Sequence, residues 1–277
     1  MALNSYSSLC DNFYIDMYIN TELDLPSERD TILAFFERLQ KQLPSMSRFY
    51  RRGNNEYCLE EDRSIGQHRW ITLETDRVGS GVVDPSDFES AYYQDRLVLE
   101  LVPYMLGVSH LDVDSLDVTF AMDFDYVGNH DEVIAEALLA SSAFNCLLEL
   151  PLARPIVFSP TMVVALTDDD CTQARISVES KTSVYVPWKK GQGSDDAISL
   201  SFTIRQYPPP HLLVPLPRLA SGDAGAGEDK SGGQRFDALK SFEYQCRLAE
   251  ELMAEKIVPN FVQPLTETIA QKRLSRS

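Results

Sequence analysis

The sequence is short of the residues and patterns with which proteins most often do covalent or metal chemistry. It has four histidines, His68, His110, His130 and His211, and none has a second histidine or a cysteine at ligand spacing. His68 begins a predicted strand, His130 follows a predicted helix cap and the others fall in loops, so each reads as a structural or surface residue. No G-x-S-x-G, Walker-type lysine loop, G-x-G-x-x-G or H-E-x-x-H pattern occurs. Gly191-Gln192-Gly193-Ser194, after Lys189-Lys190, has the composition of a phosphate loop, but between two strands a hairpin is the simpler reading. The five cysteines, Cys10, Cys58, Cys146, Cys171 and Cys246, are scattered and form no close pair. They read as reduced thiols of a cytoplasmic protein. No run approaches the roughly 18 apolar residues of a membrane span. The first ten residues lack a basic segment followed by an apolar one, so no signal peptide is expected.

Positive charge is the other shortage. Lys and Arg number 25 against 42 Asp and Glu, for a net charge of −17 and a pI near 4.6. Such a surface repels phosphate backbones and anionic membranes, which argues against nucleic-acid and membrane partners. What remains is ordinary globular material: 277 residues, 44% hydrophobic and 24% charged, enough for one large or two modest domains.

One stretch is written twice. Tyr93-Gln94-Asp95-Arg96-Leu97-Val98-Leu99-Glu100-Leu101 returns as Tyr244-Gln245-Cys246-Arg247-Leu248-Ala249-Glu250-Glu251-Leu252. Both copies read as helix. Tyr93, Leu97 and Leu101, like Tyr244, Leu248 and Leu252, are spaced i, i+4, i+8 and predict a buried stripe. Arg96/Glu100 and Arg247/Glu251 predict exposed ion pairs worth roughly 0.3–0.5 kcal/mol. The other reading of the two arginines is a pseudo-symmetric anion site.

A second echo precedes each copy. Met17, Ile19, Thr21, Leu23 and Leu25 alternate along a strand over 14–25, and Ser27 stands as cap of a helix with Asp30 at its third position. Val118, Phe120, Met122, Phe124 and Tyr126 alternate likewise, and Asn129 caps a helix with Glu132 at its third position. Strands are expected at 46–52, 56–61 and 68–75, with a Gly53-Asn54-Asn55 hairpin. In the third of these, Trp70 and Thr72 face opposite to Ile71 and Leu73. Gly79 and Gly81 suggest a bend or bulge. Asp84-Pro85 predicts the start of the helix that carries the first nonapeptide and ends or kinks at Pro103. In the second half, a short helix at 141–149 and strands at 156–167, 171–186 and 197–207 lead to helices at 235–258 and 264–274. Pro208 to Gln234 reads as a polyproline-like and then flexible connection.

The expected fold class is therefore α+β: two pseudo-repeated β-α-β-β-β-α halves, residues 1–110 and 111–277, with antiparallel sheets and helices packed on one face. The second half carries the flexible Pro/Gly-rich insertion at 208–234.

Dense polar clusters are acidic. Asp168, Asp169 and Asp170 join two strands, and Asp112, Asp114, Asp117, Asp123 and Asp125 lie near the start of the second half. Spaced carboxylates can bind Mg²⁺ or Ca²⁺ or act as an acid–base pair. Asp is also a common turn residue, and alternation puts Asp117, Asp123 and Asp125 opposite the apolar side of their strand, where most of them should be solvated. Phe124-Asp125-Tyr126 with Gly128-Asn129-His130-Asp131-Glu132, and Leu23 to Phe36 with the Ser27 cap, resemble a family of uncharacterised bacterial proteins of similar length. That resemblance implies no activity.

The functional expectation is a non-catalytic binding or adaptor protein with a protein or small-ligand partner, no catalytic residue and no cofactor. Trp70, Tyr57, Tyr185 or Trp188 could line its surface. The alternative is a metal-dependent hydrolase built on the Asp clusters, with Asp168, Asp169 and Asp170 as metal candidates.

Overall fold

The computed structural model describes residues 6–53, 55–62, 66–139, 142–182, 196–209 and 235–275. Its centre is an antiparallel pair of long strands, β1 (Asn12–Thr21) and β6 (Val113–Asp125), in register from Asn12/Asp123 to Asn20/Ser115. From β1 the sheet grows outward through β5 (Arg77–Val83), β4 (His68–Leu73), β3 (Glu56–Glu60) and β2 (Arg48–Arg52). From β6 it grows through β9 (Asp196–Gln206), β8 (Thr172–Thr182) and β7 (Thr161–Ala165), giving the order β2-β3-β4-β5-β1-β6-β9-β8-β7, antiparallel throughout. The chain is thus α+β around one nine-stranded antiparallel sheet. Residues 1–110 supply one flank and residues 111–277 the other.

Alternation decides which face is buried. In β1 the side chains of Phe13, Ile15, Met17 and Ile19 are at most 2% exposed, while Tyr14, Asp16, Tyr18 and Asn20 point the other way and stay partly accessible. Period 2 does the same in β6, where Leu116, Val118, Phe120, Met122 and Phe124 share the apolar side. The helices that pack on the sheet cover this side. Helix α1 (Arg29–Gln42) buries Ile32, Phe35, Phe36 and Leu39; α2 (Phe88–Met105) lies on β5 and β1; α3 (His130–Leu139) lies on β8 and β9. After the short α4 (Asn145–Leu148) and the last two strands, α5 (Ala238–Leu252) lies on β6 and β9 and runs into a π-helical segment (Met253–Val262) and α6 (Gln263–Leu274). Pro259 sits in the π segment. A proline there has no N–H to donate, and the wider turn accommodates that loss.

Several local expectations are corrected. The predicted strand 14–25 ends at Thr21, so Leu23 is exposed, although Leu25 is buried. The first helix begins at Arg29, with Glu28 at its cap and no side-chain cap bond, so Ser27 does not cap it. The second begins at Phe88, capped by Asp87, whose Oδ1 accepts from Ser90 N at 2.8 Å. Asp84 instead takes a left-handed φ of 48° and accepts the Phe13 amide at 2.8 Å. Helix α2 continues through Pro103 to Met105. Asn129 does cap α3, accepting from Glu132 N at 3.1 Å.

The repeated nonapeptide buries a different stripe from the one read in the sequence. Tyr93 and Tyr244 are exposed, and Leu97, Leu101, Leu248 and Leu252 are only half-buried. The buried positions are Ala91, Gln94, Asp95, Val98, Leu99 and Val102 in α2, and Ser241, Phe242, Gln245, Cys246 and Ala249 in α5. An i, i+4, i+8 series advances by about 40° per step on a helix of 3.6 residues per turn, so it drifts off the contact line. Arg96 pairs with Glu89 rather than Glu100, and Arg247 Nε donates to the Glu243 carbonyl.

Candidate functional site: the open sheet face

No described helix packs on the second face of the sheet. Its flank from β2 to β1 carries the rings of Tyr50, Trp70, Tyr14 and Tyr18, and its flank from β6 to β8 carries small hydroxyls among charged residues such as Asp117, Arg205 and Arg175. On the second flank, Thr119 and Thr203 share a hydrogen bond of 2.8 Å, as do Ser177 and Ser201 at 2.7 Å. On the first, Trp70 (β4) and Tyr18 (β1) lie across the intervening strand β5 with ring centroids 5.9 Å apart. What lets them do so is Gly79 and Gly81.

These glycines do not form the bulge expected of them; β5 keeps an unbroken register with both neighbours, Val78 to Val83 against β4 and Arg77 to Val83 against β1. Their role is close approach. A Cβ on Gly81 would stand 2.4 Å from Trp70 Cζ2 and 2.3 Å from Asp16 Oδ1; one on Gly79 would stand 2.6 Å from Tyr18 Cε1. Glycine weakens a strand interior, so two of them in one seven-residue strand are tolerated where rings need that space.

The aromatic shelf runs into a polar cleft of about 410 Å³ at the end of the four central strands. Asn20, Thr21, Glu74, Asp76, Arg77, Asp114, Ser115 and Arg205 line it. Arg77 lies 5.1 Å from the Tyr18 ring centroid and donates from Nε to Glu74 Oε2 at 2.8 Å. Arg205 grips Asp117 with two parallel bonds, Nε to Oδ1 and Nη2 to Oδ2, both 2.6 Å. This charge-assisted fork holds the guanidinium above its already high ordinary pKa and keeps both charges in place. Asn20 Nδ2 donates to Ser115 Oγ at 3.1 Å, tying β1 to β6 at the cleft wall.

Three phenols and one thiol of this face are held further from neutral pH than usual. Burial, reinforced by the carboxylates of Asp123 for Tyr14 and Asp16 for Tyr18, raises both phenols above their ordinary range. Burial also raises Tyr50 and pushes the Cys58 thiol up to about 11. These groups stay protonated near neutrality, which suits hydrogen-bond donation rather than nucleophilic attack. Tyr14 OH already donates to Asp123 Oδ2 at 2.8 Å.

The acidic residues singled out in the sequence are not brought together. Asp168, Asp169 and Asp170 form the β7–β8 turn, where Asp169 Oδ1 accepts from Thr167 Oγ1 at 2.7 Å and from Cys171 N at 3.1 Å, and Asp170 adopts a φ of 57°. Strands β8 and β9 separate that turn from Asp117 in β6. Asp112 Oδ1 accepts from Leu23 N at 3.0 Å, and Asp114 Oδ2 accepts from Ser115 Oγ at 2.9 Å. Asp125 is exposed as alternation suggested, but Asp117 and Asp123 are buried because long neighbours from β9 and β1 close over them. Among the described residues no group of three or more His, Cys, Asp or Glu side chains could hold a metal ion. His130 is structural in its contacts: Nε2 lies 2.7 Å from the Tyr126 carbonyl and Nδ1 2.8 Å from Ser180 Oγ.

Of the aromatic candidates, Trp70 stands on the open face. Tyr57 does not: it stacks on Phe49 at 6.4 Å on the helix side. Tyr185, Trp188, the Lys189–Ser194 loop and residues 210–234 of the Pro/Gly-rich insertion lie outside the described residues. Tyr18, Gly79, Gly81, Arg77 and Arg205 were missed by motif reasoning. The alternation of β1 and the Gly-x-Gly spacing of β5 carried the signal, but only the strand order places one beside the other. No helix of the described residues is long and apolar enough to cross a membrane. No family model, curated protein or solved structure matches the chain.

Proposed function

We propose that the chain is a non-catalytic binding or adaptor protein that holds its partner on the open sheet face. The observation that carries this reading is the Trp70–Tyr18 shelf laid over Gly79 and Gly81 and continued by the Arg77–Arg205 cleft. Two aromatic rings, tilted 45° to each other, next to directed polar groups recognise a ligand by ring contacts and a few hydrogen bonds. The partner is a protein segment or small ligand with an aromatic or apolar group for the shelf and a polar group for the cleft. Its arginines are already paired, so a bare anion would have to displace a carboxylate.

We also infer that the two halves are related units. Helices α2 and α5, which carry the repeated nonapeptide, lie on β1/β5 and β6/β9 respectively. Gln94 and Gln245 are both fully buried, and each donates Nε2 at 3.1 Å to a strand carbonyl, Gly81 for one and Leu116 for the other. On this reading the cleft lies where the halves meet, at the ends of β5, β1, β6 and β9.

The test is affinity capture of partners on immobilised protein, comparing wild type with Trp70→Ala and with Tyr104→Ala, an exposed tyrosine near the end of α2. A partner of the open face should be lost about tenfold or more with Trp70→Ala, equivalent to ~1.4 kcal/mol, and retained with Tyr104→Ala. Equal capture by all three proteins would sink the proposal.

A further inference from the structure

The two edges of the sheet are finished differently. Strand β2 places Arg48, Arg51 and Arg52 within five residues, the charged guard that protein edges commonly carry. Strand β7, Thr161-Met162-Val163-Val164-Ala165, has no charge, and all five residues are exposed. Around it Ile156 and Val157 are each 81% exposed, Met162 63%, Val163 54%, Val164 42% and Leu166 37%. Together they present several hundred Å² of apolar surface, the scale of one side of a standard interface at ~800 Å² per partner. A run this apolar on an open edge marks an interaction surface or an aggregation hazard.

The charge pattern selects the occupant. Between Ala137 and Thr167 the chain carries one acid, Glu149, and one base, Arg154, although the whole chain has a net charge of −17. A cationic partner would find no carboxylate on the strand itself, the nearest in sequence, Asp168 to Asp170, lying in the turn beyond its end. A second copy, elsewhere repelled by its own charge, can approach here without meeting it. The guarded β2 edge disfavours head-to-tail pairing of β2 with β7, which would leave open filaments, and leaves the two-fold pairing of β7 with itself.

The backbone gives the register. Leu166 N donates to Thr172 O at 2.8 Å and Pro160 O accepts from Val178 N at 3.0 Å, so the even-numbered residues of this strand turn their N–H and C=O toward β8. By antiparallel alternation Thr161, Val163 and Ala165 turn theirs outward. We propose that two copies of the chain associate through β7, antiparallel and centred on Val163, so that the nine-stranded sheet continues across a two-fold axis. Val163 then pairs with its own counterpart, Thr161 with Ala165, and Met162 with Val164 on the helix side. The axis is perpendicular to the sheet, so both open faces point the same way and the dimer presents two binding shelves side by side.

Sedimentation equilibrium of the full chain, up to high micromolar protein, should give twice the chain mass of 31.2 kDa. Val163→Pro removes an outward N–H that the monomer does not use, which an edge strand tolerates; it should halve the mass with an unchanged far-UV spectrum. Added salt should tighten the dimer, because it screens like-charge repulsion. A second arm does not depend on the proline variant. In a background carrying Cys146→Ser, a mixture of Met162→Cys and Val164→Cys proteins should form a disulfide-linked dimer on mild oxidation, since a non-hydrogen-bonded pair brings Cα atoms to about 4.5 Å. A wild-type monomer throughout, a dimer untouched by Val163→Pro, weakening by salt, or no 162–164 cross-link would each overturn the proposal.

Discussion

Asp95 is the residue most at odds with its setting. It is fully buried beneath β5, with both carboxylate oxygens lacking a hydrogen bond of ordinary geometry. Burial pushes its carboxyl well above the usual carboxylate range, offset in part by the nearby Ser80 hydroxyl. A folded-state pKa raised above the unfolded value of ~3.9 means that the folded chain holds its proton more tightly. The associated stability is fully present below the unfolded pKa and is lost as pH rises toward the folded one. Asp95→Asn keeps the shape and removes the titration. Thermal melts from pH 4 to 8 should show the variant gaining on the wild type as pH rises, and a constant gap across that range would refute the assignment. Sequence reading missed this residue for the reason it matters. A Gln-Asp pair reads as solvent-facing and a tyrosine as core, yet Gln94 and Asp95 are buried and Tyr93 is exposed. Only the neighbouring helix and sheet decide which side of α2 is dry.

At the scale of elements, composition and alternation located eight of the nine described strands, because period 2 survives whatever packs on either face; the exception is β5, whose two glycines read as a bend. Helix starts were less legible. Ser27 and Asp84 are both plausible caps by residue type, but Asp84 is recruited by the Phe13 amide across the sheet, and the chain is not yet helical at Ser27. A local signal loses when a distant backbone donor competes for the same carboxylate. The glycines of β5 show the same limit: their spacing was visible, while the rings they accommodate come from β1 and β4. Gly81→Ala tests that account. The added methyl would overlap the Trp70 ring and the Asp16 carboxylate, so the ring must shift, at a cost of about 1–3 kcal/mol. In a Trp188→Phe background Trp70 is the sole tryptophan, and its emission should move to the red as it is lifted into solvent. An unchanged spectrum with unchanged stability would mean that the glycines are not there for the rings.

The whole molecule is joined along β1 and β6, and the apolar core crosses that seam. Phe13 of β1 meets Phe120 of β6 with ring centroids 5.8 Å apart and edge to face, and Phe88 of α2 meets the same ring at 5.8 Å. Tyr92 of α2 packs on Phe242 of α5 at 5.8 Å, and its hydroxyl donates to Glu250 Oε1 at 2.8 Å. Separating residues 1–110 from 111–277 would strip all of these contacts and expose both central strand edges at once. The expected consequence is a single cooperative unfolding transition. In the Trp188→Phe background, Trp70 reports the first flank, and a probe dye on the exposed Cys146 reports the second. Urea titrations followed by both probes should coincide. Phe120→Ala, a truncation at the seam costing about 3–5 kcal/mol, should lower both midpoints equally. If the halves instead unfold independently, the two curves separate, and Phe120→Ala moves the β6 flank while leaving the Trp70 signal in place.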